Sequence, residues 1–253
     1  MRMIMGKIAV MADIHSNVWA LEAVLSDAKN KGARRFVNLG DTLYGPLAPK
    51  ETWELLQGEE IMTIKGNQDR QICEAKDGGS EDGNPTMAFV LSELDTTALE
   101  WMGALPLTLA LGEGIFLCHG TPENDLGYLL EDVSMGHAQV RADGEIAGDL
   151  SHTPEGLVLC GHTHIPRAVA LSTGQLVVNP GSVGLPAYSD DAPVPHRIEN
   201  YAYHASYCLI EASPSGWQVV FVRVPYAYQH AVDAATLRKR DDWAYSLSTG
   251  RAL

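Results

Sequence analysis

The sequence predicts an α/β fold whose N-terminal half alternates strands and helices and whose C-terminal half consists mostly of β-hairpins. Residues 7–39 read as a strand, a helix and a second strand, and a helical crossover of this kind joins parallel strands. After about residue 105, short apolar runs alternate with turns that contain glycine or serine, which is typical of hairpins.

The first elements follow from apolar spacing. The run KIAVMA at 7–12 is of strand length, and every residue in it after Lys7 is apolar, as in strands buried on both faces. Asn17 is the expected N-cap of a helix, because apolar residues follow it at helical spacing as far as Ala28, and Gly32 ends that helix. The next strand, helix and strand are predicted at 35–39, 51–56 and 61–64.

The remaining elements are shorter. Residues 69–103 are helical in character, with a turn-rich interruption at 77–85, and a hairpin joins 107–111 to 115–118. Five short strands and a final helix are predicted at 157–160, 167–171, 176–178, 207–211, 217–224 and 228–240. Two stretches without clear pattern, 121–151 and 185–206, are expected to be insertions in a single domain spanning 1–253, either as lids or as plain surface additions.

The composition excludes several classes of protein. The 253 residues include 18 Lys+Arg and 32 Asp+Glu, for a formal net charge of −14. Because long nucleic acids and anionic membranes both require clustered basic residues, we expect neither as a partner. The sequence has no secretory signal pattern and no apolar run of the length of a membrane helix. The widely spaced cysteines are expected to be reduced core thiols in a cytoplasmic protein of undetermined oligomeric state; they are Cys73, Cys118, Cys160 and Cys208.

Five predicted strands end in residues that bind metals. These residues are Asp13, His15, Asp41, Asn67, His119, His162 and His164. Each of them alone suits an ordinary turn or helix cap, but strand ends converge in open sheets, and the whole set favours a metal site. Its carboxylates, amide and imidazoles suit Mn, Fe, Zn, Co or Ni, and seven ligands exceed the four that one zinc takes. Two ions about 3.5–4 Å apart are a known arrangement for phosphoester hydrolysis.

In their order along the chain, the motifs DxH, GD, GN, HG and GHTH resemble those of the calcineurin-like metallophosphoesterases, over residues 7 to about 184. The segments 40–46 and 179–184 resemble the small bacterial members. The resemblance implies a four-layer α/β/β/α sandwich of two mixed sheets. It also implies a water or hydroxide between two metal ions as the nucleophile, and these ligand sets: Asp13, His15, Asp41 and His164 for one ion, and Asp41, Asn67, His119 and His162 for the other.

One position departs from the family pattern. Many phosphatases that this chain resembles continue the GN motif with a histidine that assists the leaving group, whereas this chain has Gln68. An amide cannot donate a proton as an acid, and such help is worth about 10²–10⁴-fold in rate. Activity on diesters with good leaving groups should therefore suffer least. The expected catalytic residues are Asp41, Asn67, Gln68 and His119.

The leading hypothesis is a metal-dependent phosphoesterase that acts on a small phosphodiester or phosphomonoester, for instance a nucleotide. A catalytically weak, metal-binding interaction scaffold on the same fold is the alternative that Gln68 keeps open, and a nuclease is disfavoured by the charge. The loop around 188–204 is the candidate for substrate selection, with Arg197 for a phosphate and the rings of Tyr201 and His204 for a base. A self-packed surface flap is the other interpretation of this loop.

Overall fold

Two five-stranded mixed sheets form the centre of the molecule. The structure is a computed structural model that describes residues 6–78, 83–112 and 114–253. The strands are β1 (Lys7–Met11), β2 (Ala33–Asn38), β3 (Ile61–Thr63), β4 (Thr108–Ala110), β5 (Ile115–Cys118), β6 (Glu131–Asp132), β7 (Gln139–Val140), β8 (Leu157–Leu159), β9 (Arg167–Ala170), β10 (Leu176–Asn179), β11 (Ala187–Asp190), β12 (His196–Glu199), β13 (Ala205–Ser213) and β14 (Gly216–Val224). The helices are α1 (Val18–Asn30), α2 (Pro49–Gln57), α3 (Asn67–Lys76), α4 (Pro85–Glu93), α5 (Thr96–Ala104), α6 (Asp143–Asp149), α7 (Tyr228–Leu237) and α8 (Asp241–Thr249).

Each sheet contains three adjacent parallel strands. The first sheet runs β14-β13-β1-β2-β3, with β1, β2 and β3 parallel, β13 antiparallel to β1, and β14 antiparallel to β13. The second sheet runs β4-β5-β8-β10-β9, with β5, β8 and β10 parallel and an antiparallel strand at each edge. Two-stranded ribbons, β6–β7 and β11–β12, lie outside these sheets.

The alternation of side chains along β1 builds two cores. Ile8 and Val10 point between the sheets and pack with residues of the second sheet such as Leu159. Ala9 and Met11 point to the opposite face, where they share a core with helices α1 to α5. Because both faces of β1 are buried, the strand is continuously apolar, as predicted.

Helix α6 covers the other face of the second sheet. Its Ile146 packs in one cluster with Val158 and Val177 of that sheet. The layer order is therefore α/β/β/α, which confirms the expected four-layer sandwich. Helices α7 and α8 add a smaller cluster around Trp243 at the side.

Most predicted elements form where they were expected, and Asn17 caps α1 by accepting a hydrogen bond from Ala20 N. The helix predicted at 228–240 forms as α7, but the prediction that it is the final helix is wrong, because the chain turns at Lys239 (φ +58°) and α8 follows. Residues 1–5, residues 79–82 of the predicted turn, and Glu113 of the predicted hairpin turn lie outside the described residues.

The four cysteines are unpaired; three are buried and Cys73 is partly exposed. Within the described ranges, no helix is both long and apolar enough to cross a membrane.

Candidate metal centre

All seven predicted metal ligands meet where the C-terminal ends of the parallel strands of both sheets come together. Asp13 and His15 follow β1, Asp41 follows β2, and Asn67 follows β3. From the second sheet, His119 follows β5, and His162 and His164 follow β8. Six of these side chains are buried and His162 is half-buried. The packing of one sheet on the other thus brings together residues up to 151 positions apart in sequence.

The ligands form two compact groups. In one group, ligand atoms of Asp13, His15 and His164 all lie within 4.8 Å of one another. In the other group, the same holds for Asp41, His119 and His162. Each group joins one carboxylate to two imidazoles, a combination that suits a borderline divalent metal ion.

Asp41 lies between the two groups. Its Oδ1 is 3.5 Å from His119 Nε2, and its Oδ2 is 3.9 Å from His15 Nε2. The Oδ1 of Asn67 lies 3.0 Å from the same His119 nitrogen. The two oxygens of Asp41 therefore face different groups, as a bridging carboxylate requires.

Backbone carbonyls orient three of the four imidazoles. The Nδ1–H of His119 donates to Leu39 O at 2.7 Å, and that of His164 donates to Leu185 O at 2.7 Å. His15 Nδ1 makes the same contact with Tyr44 O at 3.2 Å. A carbonyl can only accept, so each of these rings carries a proton on Nδ1, and Nε2 is the nitrogen that points into the centre.

Lone pairs consequently face one another across the first group. His15 Nε2 and His164 Nε2 are 3.2 Å apart, and His164 Nε2 is 3.4 Å from Asp13 Oδ1. Both oxygens of Asp13 are buried and have no hydrogen-bond partner among the described residues. An unpaired buried carboxylate beside two acceptors is unfavourable unless a cation lies among them. The residues therefore fit divalent metal ions.

Left-handed backbone conformations present most of these ligands. Five of the seven have positive φ, although none is glycine: Asp13 (+56°), His15 (+49°), Asp41 (+55°), His162 (+68°) and His164 (+58°). Such conformations cost about 1–3 kcal/mol each and are concentrated at functional sites. Cross-strand hydrogen bonds hold two of them, from Asp13 N to Gly40 O and from His15 N to Asp41 O, both at 2.9 Å.

The glycines of the GD and GN motifs have a steric role. Gly40 has φ +99°, and a Cβ there would overlap the backbone of Gly66. A Cβ on Gly66 would in turn collide with the backbone nitrogen and the carboxylate of Asp41. The two loops approach so closely that side chains are excluded at both positions.

Buried charges shift the pKa values of the ligands in opposite directions. Burial lowers the pKa of His119, but Asp41 beside it outweighs this effect and raises the value to about 10. Burial and a neighbouring imidazole lower the pKa of both His15 and His162 to about 4. Without cations, the centre therefore holds one imidazolium, on His119, close to neutral imidazoles.

Asp69 is a functional residue that the sequence interpretation missed. Its buried carboxylate accepts hydrogen bonds from the backbone N–H groups of Asp41 (2.9 Å), Thr42 (2.9 Å) and Gly66 (3.0 Å). It therefore fixes the loops after β2 and β3 relative to each other. Its position three residues after Gly66, in the first turn of α3, was the available signal for this role.

A cleft of about 1130 Å³ opens over the centre, and Gln68 is among the residues that line it. The three predicted substrate residues do not line it. Arg197 is exposed on β12, Tyr201 is exposed beneath the guanidinium of Arg251, and His204 stacks on the ring of Tyr203. Arg197 points away from the cleft because side chains alternate along a strand and its neighbour His196 points inward.

Other side chains from the two patternless stretches do line the cleft. They include Tyr128, Glu131, Arg141 and Tyr188. The edges of two tyrosine rings meet the centre, Tyr128 against His162 and Tyr188 against His164, with centroids 5.0 and 4.8 Å apart. Of these four residues, only Tyr188 belongs to the loop predicted to select the substrate.

The chain is similar to known proteins both in sequence and in structure. The family model described as the calcineurin-like phosphoesterase superfamily domain matches residues 6–194. An uncharacterised protein of Methanocaldococcus jannaschii, MJ0912, is 26% identical over 262 residues, covering 95% of this chain and 96% of its own length. A metallophosphoesterase from Sphaerobacter thermophilus has a similar crystal structure, with a TM-score of 0.73 and 23% identity, over 96% of this chain and 98% of that one.

Proposed function

The chain belongs to the calcineurin-like phosphoesterase superfamily, and from this membership we propose that it hydrolyses a small phosphodiester or phosphomonoester at a centre of two divalent metal ions. The observation that carries the proposal is the set of buried lone pairs that face one another around Asp13 and His164. Such an arrangement needs cations, and it lies at the floor of an open cleft.

The chain's own residues prepare the centre. Asp13, His15 and His164 would hold one ion and Asn67, His119 and His162 the other, with Asp41 shared between them. Two bound divalent cations supply a nucleophile of lowered pKa and neutralise charge on the phosphoryl group. Mn, Fe, Zn, Co and Ni all suit these ligands. The carbonyl contacts of the imidazoles keep the ligand nitrogens aimed inward before an ion arrives.

Gln68 shapes the expected substrate preference. Its backbone N–H donates to Asp41 Oδ1 at 2.8 Å, so the residue helps to fix the shared carboxylate. Its side chain has no acidic proton to give to a departing alkoxide. We therefore expect efficient cleavage only of esters whose leaving group is stable as an anion.

An interaction scaffold and a nuclease are the competing functions. A scaffold has no need of a complete ligand set or of an open cleft above it, and this chain has both. A nuclease needs a basic surface, whereas the formal net charge is −14. The unpaired cysteines support the further proposal of a cytoplasmic location.

The decisive experiment combines metal analysis with turnover of bis-p-nitrophenyl phosphate. We expect the purified chain, after incubation with manganese, to retain about two ions and to cleave the diester. Asp41→Asn should lower both metal content and kcat, the latter by about 10²-fold or more. Asp233→Asn, on the exposed surface of α7, is the matched control and should change neither. Equal rates for the wild type and Asp41→Asn, or full metal content without turnover, would overturn the proposal.

A further inference from the structure

Away from the metal centre, the cleft is acidic. Apart from the metal ligands, its lining includes two arginines and four exposed carboxylates, a balance of 2 − 4 = −2: Arg141, Arg240, Asp132, Glu145, Asp190 and Asp242. Arg141 already pairs with Asp149 at 2.6 Å and donates to two carbonyls of the chain. Arg240 pairs with Asp242 through both Nε and Nη2. Neither guanidinium is left unpaired for a second phosphate.

A tyrosine–histidine unit on the cleft wall offers only acceptors. His196 Nδ1 lies 2.7 Å from Val194 O, which must accept, so Nδ1 is the donor, and in that tautomer Nε2 is an acceptor. Tyr128 therefore donates its hydroxyl proton to that Nε2, at 2.9 Å. The hydroxyl of Tyr188 then donates to Tyr128, at 2.9 Å, or to His162 O, at 3.3 Å. Both phenolic protons are used within the protein, and lone pairs remain for a ligand.

From these two features we infer that the cleft selects phosphate esters with a single phosphoryl group, whose organic part is uncharged or cationic and carries hydrogen-bond donors. The inference rests on the proposed function, because the metal ions would hold the phosphoryl group. An amino alcohol or a polyol has the required chemistry as the alcohol of a phosphodiester that stays on the phosphoryl group, while the other alcohol is the leaving group. A second phosphate or a carboxylate on the ligand would meet the acidic wall and be repelled.

Three phosphonates that share a two-carbon chain test the inference by binding alone, because their C–P bond is not an ester and is not hydrolysed. They are ethylphosphonate, 2-aminoethylphosphonate and 2-carboxyethylphosphonate, titrated calorimetrically into the manganese-loaded protein. We expect the amino compound to bind about tenfold more tightly than the ethyl compound, and the carboxy compound about tenfold more weakly. Added salt should reduce both differences. Equal affinities, or tightest binding of the carboxy compound, overturn the inference.

Two variants locate the effect within the cleft. Glu145→Gln removes an exposed charge that lies 3.8 Å from Arg141 and should reduce the preference for amino over carboxy about threefold. Tyr128→Phe removes a hydrogen-bond acceptor and should weaken the binding of the amino compound alone. The control, Glu22→Gln on the exposed side of α1, should bind all three as the wild type does.

The outcomes separate this inference from the proposed function. Equal weakening of all three compounds in Tyr128→Phe would indicate a purely structural role and contradict the assignment of that residue. Failure of all three to bind protein that retains its manganese would overturn both proposals. Binding without a charge order would overturn only the selectivity.

Discussion

The imidazoles of the metal centre are prepared for their role by their second nitrogen. His119 and His164 each donate Nδ1–H to a carbonyl at 2.7 Å, which fixes both the tautomer and the ring plane. The electrostatic state of the rings nevertheless differs. The Asp41 carboxylate keeps His119 protonated to a pKa of about 10, whereas His15 and His162 lose their protons near pH 4.

This difference predicts how many protons leave when metal binds. At about pH 8, His119 carries a proton in the metal-free protein and must lose it to become a ligand, while His15 and His162 are already neutral. We expect release of about one proton, and metal affinity that rises with pH up to about 10 because protons compete for His119. Calorimetry in buffers of different ionisation enthalpy measures the number.

The exposed His137, which lies outside the centre, provides the control for that measurement. His137→Gln should leave the proton count unchanged. Release of no proton, or of three or four, would contradict the assignment of charge to His119.

The seven candidate ligands could be predicted from the sequence because each lies within five residues after a strand of recognisable pattern. Asp69 and Tyr128 could not be predicted in the same way. The role of Asp69 depends on how closely the loops after β2 and β3 approach, and that of Tyr128 depends on a long patternless segment that folds back over His162. Such contacts arise from tertiary packing, and no local spacing encodes them.

At the scale of elements, the first turn of α3 supports the centre. It presents Asn67 as a ligand, and its Asp69 accepts three backbone N–H groups from loops that carry no regular structure. A second contact holds the same turn from outside, since Arg70 pairs with Asp125 through two hydrogen bonds of 2.7 and 3.1 Å. The helix therefore fixes the loops on both sides of the cleft floor.

Removal of the Asp69 carboxylate should destabilise both the fold and the second ligand group. Asp69→Ala leaves three buried N–H groups without an acceptor, and we expect a loss of about 2–4 kcal/mol in the free energy of unfolding. The metal content should fall as well, because Asp41 and Asn67 lose their common support. Chemical denaturation and metal analysis check the two effects.

Glu74→Ala, on the exposed side of the same helix, should cost less than about 1 kcal/mol. A stable Asp69→Ala protein with full metal content would show that the backbone holds the loops without this carboxylate.

The elements that escaped prediction have identifiable causes. Helix α8 lies just beyond the helix predicted at 228–240, and the break before it contains no glycine or proline, because Lys239 adopts the left-handed conformation instead. Arg197 was expected in the cleft because its segment had no visible period. The β11–β12 pairing sets an alternation that directs Tyr188 and His196 inward and Arg197 outward.

At the scale of the whole molecule, charge is distributed by depth. Two divalent ions would outweigh the negative charges of Asp13 and Asp41 at the centre, whereas the formal net charge of the whole chain is −14. The centre is then locally positive within an acidic surface, so a small phosphate ester can be held although long polyanions are repelled.

This distribution predicts that the manganese-loaded protein acts on small esters but neither binds nor cuts duplex DNA. In an electrophoretic shift assay at low salt we expect no retardation at protein concentrations of about 10 µM, since non-specific binders depend on basic surfaces. A basic DNA-binding protein on the same duplex is the positive control. Retardation that weakens with salt would reveal a basic surface and favour the nuclease.

The two ribbons have a consequence for the design and evolution of such enzymes. Ribbons β6–β7 and β11–β12 supply Glu131, Asp132, Tyr188 and Asp190 to the cleft wall, but they contribute none of the seven ligands. The carbonyl that orients His164 belongs to Leu185, outside both ribbons. Other residues inferred to select the ligand, such as Tyr128, Glu145 and Asp242, lie outside the ribbons. We therefore expect ribbons exchanged between related chains to change selectivity in part, while the candidate metal ligands stay in place.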